Sequence, residues 1–194
     1  MIYENDNFIM LPFNRMIANQ PQSTYRFWWA DAEVTKFNSH GLFPQSEKEL
    51  ENFFNSIGRN NIVWAIMARR DPNGVDTGKL HHIGNTSLQS INFIHRSGEY
   101  AIVIGEKAYW GKGYASETAQ FVLQHGFKRL GLNRIWTGTA AVNLGMQRVA
   151  ERMGMTKEGC SREGMYLDGN HVDIYHGNNR GKRTGILQAA GHAP

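Results

Sequence analysis

The fold is decided by residues 99–117, which read EYAIVIGEKAYWGKGYASE. The apolar run from Glu99 to Gly105 predicts a strand. A short loop, Ala108 to Gly113, separates this strand from a helix on which Ala115 and later apolar residues recur along one face. A strand, a glycine loop and a helix N-terminus in this order suit an anion, because backbone N–H groups and the helix dipole converge there.

The glycine loop alone does not identify the anion. Residues 110–115 lack the glycine spacing and the Lys-Ser/Thr pair of a Walker loop. A Rossmann fingerprint would need a third glycine at Ser116 and an acidic residue near the end of the following strand, and neither is present. Taken by itself, the loop is read equally well as an ordinary tight turn.

The chain after this loop alternates strands and helices. Arg134 to Thr139 predicts a strand, and Asn143 opens a second amphipathic helix that Gly154 closes. Residues 166–171 predict a hairpin, with Val172 to His176 as its return strand.

The first third of the chain is expected to be mostly helical. Ser46 and Glu49 form a capping box ahead of an apolar helical stripe. Residues 62–68 then predict a buried strand, and Ile83 to Ile91 predict its hairpin partner. Antiparallel strands followed by a β-α-β-α-β segment predict an α+β fold with a mixed, mostly antiparallel sheet flanked by helices.

Length and composition favour one soluble domain. The chain has 194 residues, 41% of them hydrophobic, with a formal charge of +4 and one cysteine, Cys160. We expect a domain over residues 1–177 and a basic, Gly-rich tail over residues 178–194. The lone cysteine excludes an internal disulfide, and the sequence shows neither a signal peptide nor a membrane-spanning run, so a cytoplasmic location is expected. With this small net charge we do not expect nucleic acid as a partner.

The eight histidines do not predict a metal site. His81 and His82 are adjacent, and His171 and His176 fall on opposite faces of the predicted strand. Neither pair has the spacing of metal ligands, and no cysteine cluster supports them. We therefore expect no bound metal.

Residues 102–105 and 109–117 resemble motif A of the GCN5-related N-acetyltransferases, the GNAT family, whose pattern is Gln/Arg-x-x-Gly-x-Gly/Ala. Residues 143–155 resemble a later segment of the same family, in the variant of the ribosomal-protein N-terminal acetyltransferases, the RimJ/RimL-like branch. The resemblance runs from about Phe8 to Gly177 and is strongest from Glu99 to Met155. It implies a single GNAT-like domain in which a splayed pair of strands binds acyl-CoA, with acetyl-CoA as cosubstrate and an amine as acceptor.

The resemblance also implies which residues bind the cosubstrate. Three strand residues would pair through their backbone with the pantetheine arm, as an added strand does. Backbone amides of the glycine loop would hold the pyrophosphate, with a tryptophan standing where the family has Gln or Arg. A polar residue at the start of the next helix would contact the pantetheine or its supporting loop. In chain order these residues are Ile102, Val103, Ile104, Trp110, Gly111, Lys112, Gly113, Tyr114, Ala115 and Asn143.

Catalysis requires a group that takes a proton from the attacking amine. By analogy with the family, Glu99 at the start of the splayed strand is the best-placed carboxylate. The alternative is an ordinary strand-end carboxylate paired with Arg96 or Lys107. Met146 and Ala150 stand where the family often has Ser and Tyr, so its usual general acids are missing.

Two functions stay open on the sequence. The first is an acetyl-CoA-dependent N-acetyltransferase acting on a primary amine, which is a protein N-terminus, a nucleotide-sugar amine or a small amine. The second is a non-catalytic acyl-CoA-binding or regulatory module of the same fold. Glu99 favours the enzyme, whereas the missing Ser and Tyr favour the module. The sequence does not distinguish a monomer from a homodimer.

Overall fold

The computed structural model describes residues 1–43 and 46–181 of the chain. Its strands and helices alternate in a pattern that ends in a long hairpin. In chain order they are β1 (Tyr3–Glu4), β2 (Phe8–Pro12), α1 (Arg15–Ala18), α2 (Tyr25–Trp28), a 3-10 turn (Ser39–Gly41), α3 (Glu47–Ser56), β3 (Ile62–Arg70), β4 (Asp76–Asn92), β5 (Ser97–Ile104), a 3-10 turn (Lys107–Tyr109), α4 (Tyr114–Gln124), a π-helical turn (His125–Arg129), β6 (Arg134–Ala140), α5 (Leu144–Arg152), β7 (Thr156–Leu167) and β8 (Asn170–Asn179).

The strands form one mixed sheet in the order β1-β2-β3-β4-β5-β6-β8-β7. Within the described residues, the β5–β6 pair is parallel and the other neighbours are antiparallel. The parallel pair is joined by a crossover through α4, as parallel connections require. The prediction of an α+β fold with a mostly antiparallel sheet flanked by helices is confirmed.

The parallel pair separates soon after it begins. Ser97, Gly98 and Glu99 pair with β6, and no later residue of β5 does so. Beyond that point β5 continues beside β4, while β6 continues beside β8. The sheet therefore opens between residues 100–104 of β5 and the second half of β6, as expected for a splayed pair.

Helices cover both faces of the sheet. On one face lie α4 and the π-helical turn that follows it. Gly126 of this turn lets it pack closely against the sheet, because a Cβ there would lie 2.6 Å from Ile135 Cδ1. On the other face, Tyr25 and Trp28 of α2, together with Phe13 from the segment before α1, pack against alternate residues of β3. Strand β3 contributes side chains to the apolar clusters on both faces of the sheet, because successive side chains of a strand point to opposite faces.

Two sequence expectations about the chain ends are corrected. The first third is less helical than expected: it contains β1 and β2, and α1 and α2 are single turns of four residues each. The expected boundary after residue 177 falls inside β8, where Asn178 and Asn179 are buried and Asn179 Nδ2 donates to Met153 O over 2.6 Å. Residues 182–194 of the expected tail lie outside the described residues.

Among the described residues, every helix is too short or too polar to span a membrane.

Candidate active site

A loop between β5 and α4 forms a concave row of backbone amides. Gly111 and Gly113 have φ values of 74° and 90°, in the left-handed region that glycine adopts without strain. Gly113 is the N-cap of α4 and offers no capping side chain. In the described part of the chain, no group accepts a hydrogen bond from the backbone N–H groups of residues 111–115. These five consecutive donors at a helix N-terminus are ready for an anion.

The charged side chains near this amide row include two cations and one carboxylate. Lys112 is exposed within the loop, and Arg152 of α5 reaches across to donate to Ser116 Oγ over 3.3 Å. The nearby carboxylate of Glu117 accepts hydrogen bonds from the side chains of Asn5 and Asn7, at 2.9 and 3.3 Å. The two asparagines therefore hold the one acidic side chain of the first helical turn, while two cations stay beside the amide row.

Trp110 ties the loop to the end of β5. Its indole Nε1–H donates to the backbone oxygen of Ile104 over 2.7 Å. The side chain is 38% exposed, so it lies at the surface rather than in the core. Trp110, which stands where the family has Gln or Arg, thus links the amide row to the edge of β5 through a hydrogen bond.

The backbone of β5 presents alternate residues to the opening. Gly105 N donates to Ile83 O, so the odd-numbered residues of this segment bond to β4. The N–H and C=O groups of Ile102 and Ile104 consequently point to the side that β6 has left. The backbone of Val103 is engaged with Asn85 on β4. Because the Ile104 oxygen already accepts from Trp110 Nε1–H, the groups of this segment that can pair with a bound arm are both backbone groups of Ile102 and the N–H of Ile104.

A cavity of about 620 Å³ lies on the face of the sheet that carries the N-terminal helices. It reaches Ala101, Ile102 and Val103 on β5, so it borders the opening. Five aromatic rings and two carboxylates line it, and none of the described lining residues is Lys, Arg or His. The rings are Tyr25, Trp29, Phe37, Phe43 and Phe53, and the carboxylates are Glu49 and Glu99.

Burial keeps the phenol in this cavity neutral. It raises the pKa of Tyr25 to about 12, against a smaller opposite effect of a hydrogen bond with Trp29. The cavity is therefore acidic and aromatic, and its negative charge comes from carboxylates alone.

Glu99 is half-buried and lines this cavity. Among the described residues, none donates a hydrogen bond to its carboxylate or forms an ion pair with it. Arg96 instead donates to Gly131 O, and Lys107 pairs with Asp31 and Glu33 at 2.9 and 3.0 Å. Among the described residues, Glu99 is therefore not paired with Arg96 or Lys107, as the alternative interpretation expected.

A buried amide also faces the cavity. Asn85 on β4 is 6% exposed, and its Oδ1 lies 2.9 Å from His82 Nε2. No described residue is bonded to its Nδ2. Sequence patterns do not select this residue, because Asn85 is one polar position in a strand until the fold brings His82 beside it.

Asn143 is the N-cap of α5. Its Oδ1 accepts from Met146 N over 3.1 Å, so the side chain caps the helix. Its amide Nδ2 makes no hydrogen bond to the described residues. Met146 and Ala150 follow on this helix, and their side chains supply no acidic proton.

Other reactive side chains lie apart from the cavity lining. His176 Nε2 lies 2.9 Å from Ser161 Oγ, and Cys160 Sγ donates to Asp173 Oδ2 at 3.4 Å, all on the β7–β8 hairpin. Within the described residues, no group of three or more His, Cys, Asp and Glu side chains is arranged to hold a metal ion.

Comparisons with known proteins agree with this architecture. The chain is 29% identical over 145 residues to the spermidine N(1)-acetyltransferase of Vibrio cholerae, covering 75% of each chain. It is 32% identical over 107 residues to YdaF of Bacillus subtilis, which is named as a ribosomal N-acetyltransferase, and this match spans 54% of the chain and 58% of that relative.

A solved structure supports the same fold. The crystal structure of the Vibrio cholerae spermidine N-acetyltransferase in complex with CoA and spermine superposes with a TM-score of 0.75 at 22% identity, covering 94% of this chain and 99% of that one. The sequence profile of the GNAT acetyltransferase domain matches residues 16–156. The chain therefore belongs to the GNAT family of acetyltransferases.

Proposed function

We propose that this chain transfers the acetyl group of acetyl-CoA to a primary amine, by direct attack within a ternary complex. The observation that carries the proposal is that the Glu99 cavity and the open edge of β5 meet at the same strand residues. One side of β5 receives the acceptor and the other receives the cosubstrate, so the two reactants meet at residues 101–103.

The amide row and the open strand edge fit a CoA thioester. The pyrophosphate would accept hydrogen bonds from the N–H groups of residues 111–115, where Lys112 and Arg152 add positive charge. The pantetheine amides would pair with the N–H and C=O groups of Ile102 and with the N–H of Ile104, as a β-strand adds to a sheet edge. When bound, the cosubstrate supplies the activated acyl group.

Glu99 would take the proton from the attacking nitrogen, directly or through a water molecule. Its carboxylate has no described partner that would compete for this role. A free N–H at the open edge, that of Ile102 or Ile104, would stabilise the oxyanion that forms on the carbonyl. Holding both reactants across one strand supplies the orientation that an uncatalysed aminolysis lacks.

The acceptor is proposed to be a cationic or neutral amine on an apolar body. Carboxylates attract an ammonium group, and aromatic faces bind cations at close range. A nucleotide-sugar amine carries anionic phosphates, and the described lining has no cation to pair with them. The Vibrio cholerae relative, whose name and structure concern spermidine and spermine, is consistent with this class of acceptor.

A non-catalytic acyl-CoA-binding module is the second candidate. Met146 and Ala150 favour it, because no side chain at those positions can protonate a departing thiolate. A thiol-release assay with acetyl-CoA and a panel of primary amines separates the two. Release of CoA with at least one amine supports the enzyme, whereas binding of acetyl-CoA without release from any amine supports the module.

Binding itself is measured by thermal unfolding. A ligand present at a hundredfold excess over its Kd stabilises the native state by about 2.7 kcal/mol. For a chain of this size the expected rise in Tm is about 5–10 °C. A Tm that does not change up to millimolar acetyl-CoA would contradict both candidate functions.

A further inference from the structure

We propose that Asn85 binds an uncharged oxygen atom on the acceptor amine, and that His82 holds the Asn85 amide in the orientation this requires. The inference rests on the proposed acetyl transfer and adds a specificity-determining residue to it. Neither residue belongs to the motifs that indicate the family.

The Asn85 amide is buried with half of its hydrogen-bonding capacity unused. Its Oδ1 lies 2.9 Å from His82 Nε2, while its Nδ2 makes no hydrogen bond to a described residue. The side chain is 6% exposed and borders the cavity. Although the residue as a whole is buried, Nδ2 is not among the described fully buried atoms that lack a partner, so it is accessible from the cavity. An N–H₂ group with this access can donate to an acceptor atom of a ligand.

The His82 ring is held by aromatic contacts and by a hydrogen bond to Ser23. Its ring lies between aromatic rings, with centroids 4.8 Å from Trp28, 5.5 Å from Phe13 and 6.1 Å from Tyr25. Its Nδ1 lies 3.4 Å from Ser23 Oγ. With Nδ1 accepting from this hydroxyl, Nε2 carries the proton and donates to Asn85 Oδ1. The Asn85 N–H₂ group is then directed into the cavity.

The location of Asn85 assigns it to the acceptor rather than to the thioester. Asn85 pairs with Val103 on the β4 side of β5, whereas the opening lies on the β6 side. One strand spacing, about 4.8 Å, therefore separates Asn85 from the opening. Glu99 lies four residues from Val103 on the same face, about 13 Å along the strand. An acceptor in the cavity would reach Asn85 with its body and the opening with its amine.

The hydrogen-bonding roles of Glu99 and Asn85 define which acceptor amine fits the cavity. Glu99 accepts a proton or a hydrogen bond, and Asn85 donates one. A fully protonated polyamine has no hydrogen-bond acceptor to offer Asn85. An amine that carries a carbonyl or hydroxyl oxygen on its chain satisfies both, and a site built to bond that oxygen discriminates against analogues without it.

The test compares matched amines in the thiol-release assay. The probes are ω-amino amides from glycinamide to 5-aminopentanamide, each paired with the n-alkylamine of the same chain length. For each pair, the ratio of kcat/KM values is compared between the wild type and Asn85→Asp or Asn85→Ala. Because the same amines are used throughout, differences in their own basicity cancel. Asn92→Asp is the control, since Asn92 lies on β4 outside the cavity lining.

We expect the Asn85 variants to lower the ratio about tenfold for the best-fitting amide, which corresponds to about 1.4 kcal/mol. The loss should appear mainly in KM and leave the alkylamines little changed. His82→Phe should lower the ratio in the same direction, and it should have no further effect in an Asn85→Ala background because it acts through that amide.

The outcomes separate this inference from the proposed function. A ratio that Asn85→Asp and Asn85→Ala leave unchanged, while CoA is still released, overturns the role of Asn85 and leaves acetyl transfer standing. A His82→Phe effect that persists in the Asn85→Ala background overturns the positioning role. Folded protein that releases no CoA with any amine overturns both the inference and the proposed function.

Discussion

Glu99 and Trp136 form the last pair of the parallel ladder between β5 and β6. Beyond this pair the two strands follow different neighbours, so Glu99 lies at the apex of the opening. Its carboxylate also borders the cavity and has no ion-pair partner among the described residues. Under the proposed function, the unpaired Glu99 carboxylate at the apex is the group closest to the proton that leaves the amine.

Glu99→Gln should therefore separate binding from turnover. Glutamine keeps the size and hydrogen bonding of the side chain but does not take the proton. We expect the Kd for acetyl-CoA to stay the same and kcat to fall about 10²–10⁴-fold, the range typical for loss of a general base. Isothermal titration calorimetry measures the first quantity and steady-state thiol release the second.

Glu4→Gln is the matched control for this change. Glu4 lies on β1 at the opposite edge of the sheet and pairs with Arg69 at the surface. Its loss should leave kcat unchanged. A Glu99→Gln enzyme that loses less than tenfold, with the same pH profile of kcat as the wild type, would remove Glu99 from the mechanism and leave orientation as the main source of rate.

Gly113→Asp should weaken CoA binding more than it destabilises the fold. The new carboxylate would stand at the N-terminus of α4, where it repels the pyrophosphate and occupies the amide row. We expect about a tenfold or greater rise in Kd. Gly74→Asp is the control, because Gly74 has φ 87° against 90° for Gly113 and lies in the turn between β3 and β4. Equal Kd values for the two variants would show that the amide row does not hold the cosubstrate.

Sequence patterns predict the part of the site that depends on backbone. Glycines at 111 and 113, the apolar strand before them and the helix after them follow local rules, and the structure shows the expected turn and strand. Strands β1 and β2 are too short to show a periodic signal: only Phe8 and Met10 are buried on β2. Their formation depends on pairing with β3, which no local pattern reveals.

The cavity was beyond prediction because its residues come from distant segments. Asn85 becomes significant only when His82, Trp28 and Val103 are brought around it by the helices and by strand pairing. Arg152 likewise reaches Ser116 from the next helix, which depends on how α5 packs beside α4. In each case the signal lies in tertiary contacts and not in residue spacing.

Gly105→Ala should destabilise the fold through steric overlap. A Cβ at this position would lie 1.9 Å from Trp28 Cδ2, and Trp28 is buried and cannot move aside cheaply. We expect the free energy of unfolding in urea to fall by about 1–3 kcal/mol. Gly58→Ala is the control because a Cβ there would meet nothing within 4 Å. Similar unfolding curves for both variants would contradict the close contact between Gly105 and Trp28.

The stability of the fold should fall as the pH drops through the range in which histidines titrate. Burial lowers the pKa of His82 below its ordinary 6.5, and the hydrogen bond to Asn85 opposes this only in part. Burial also lowers the pKa of His125, with further lowering by the N-terminus and Arg129. Below pH 6.5 the unfolded chain therefore binds more protons than the native one, and its free energy decreases relative to the native state.

The share of this effect that belongs to His82 is measured by His82→Gln. Because the variant lacks the group whose protonation is suppressed in the fold, its loss of stability relative to wild type should be largest at pH 7.5 and should shrink towards pH 5.5. His81→Gln is the neighbouring control, because His81 is less buried than His82 and contacts Thr77. Urea unfolding at a series of pH values gives both curves. A His82→Gln difference that is constant or grows as the pH falls would mean that His82 is not held neutral by burial.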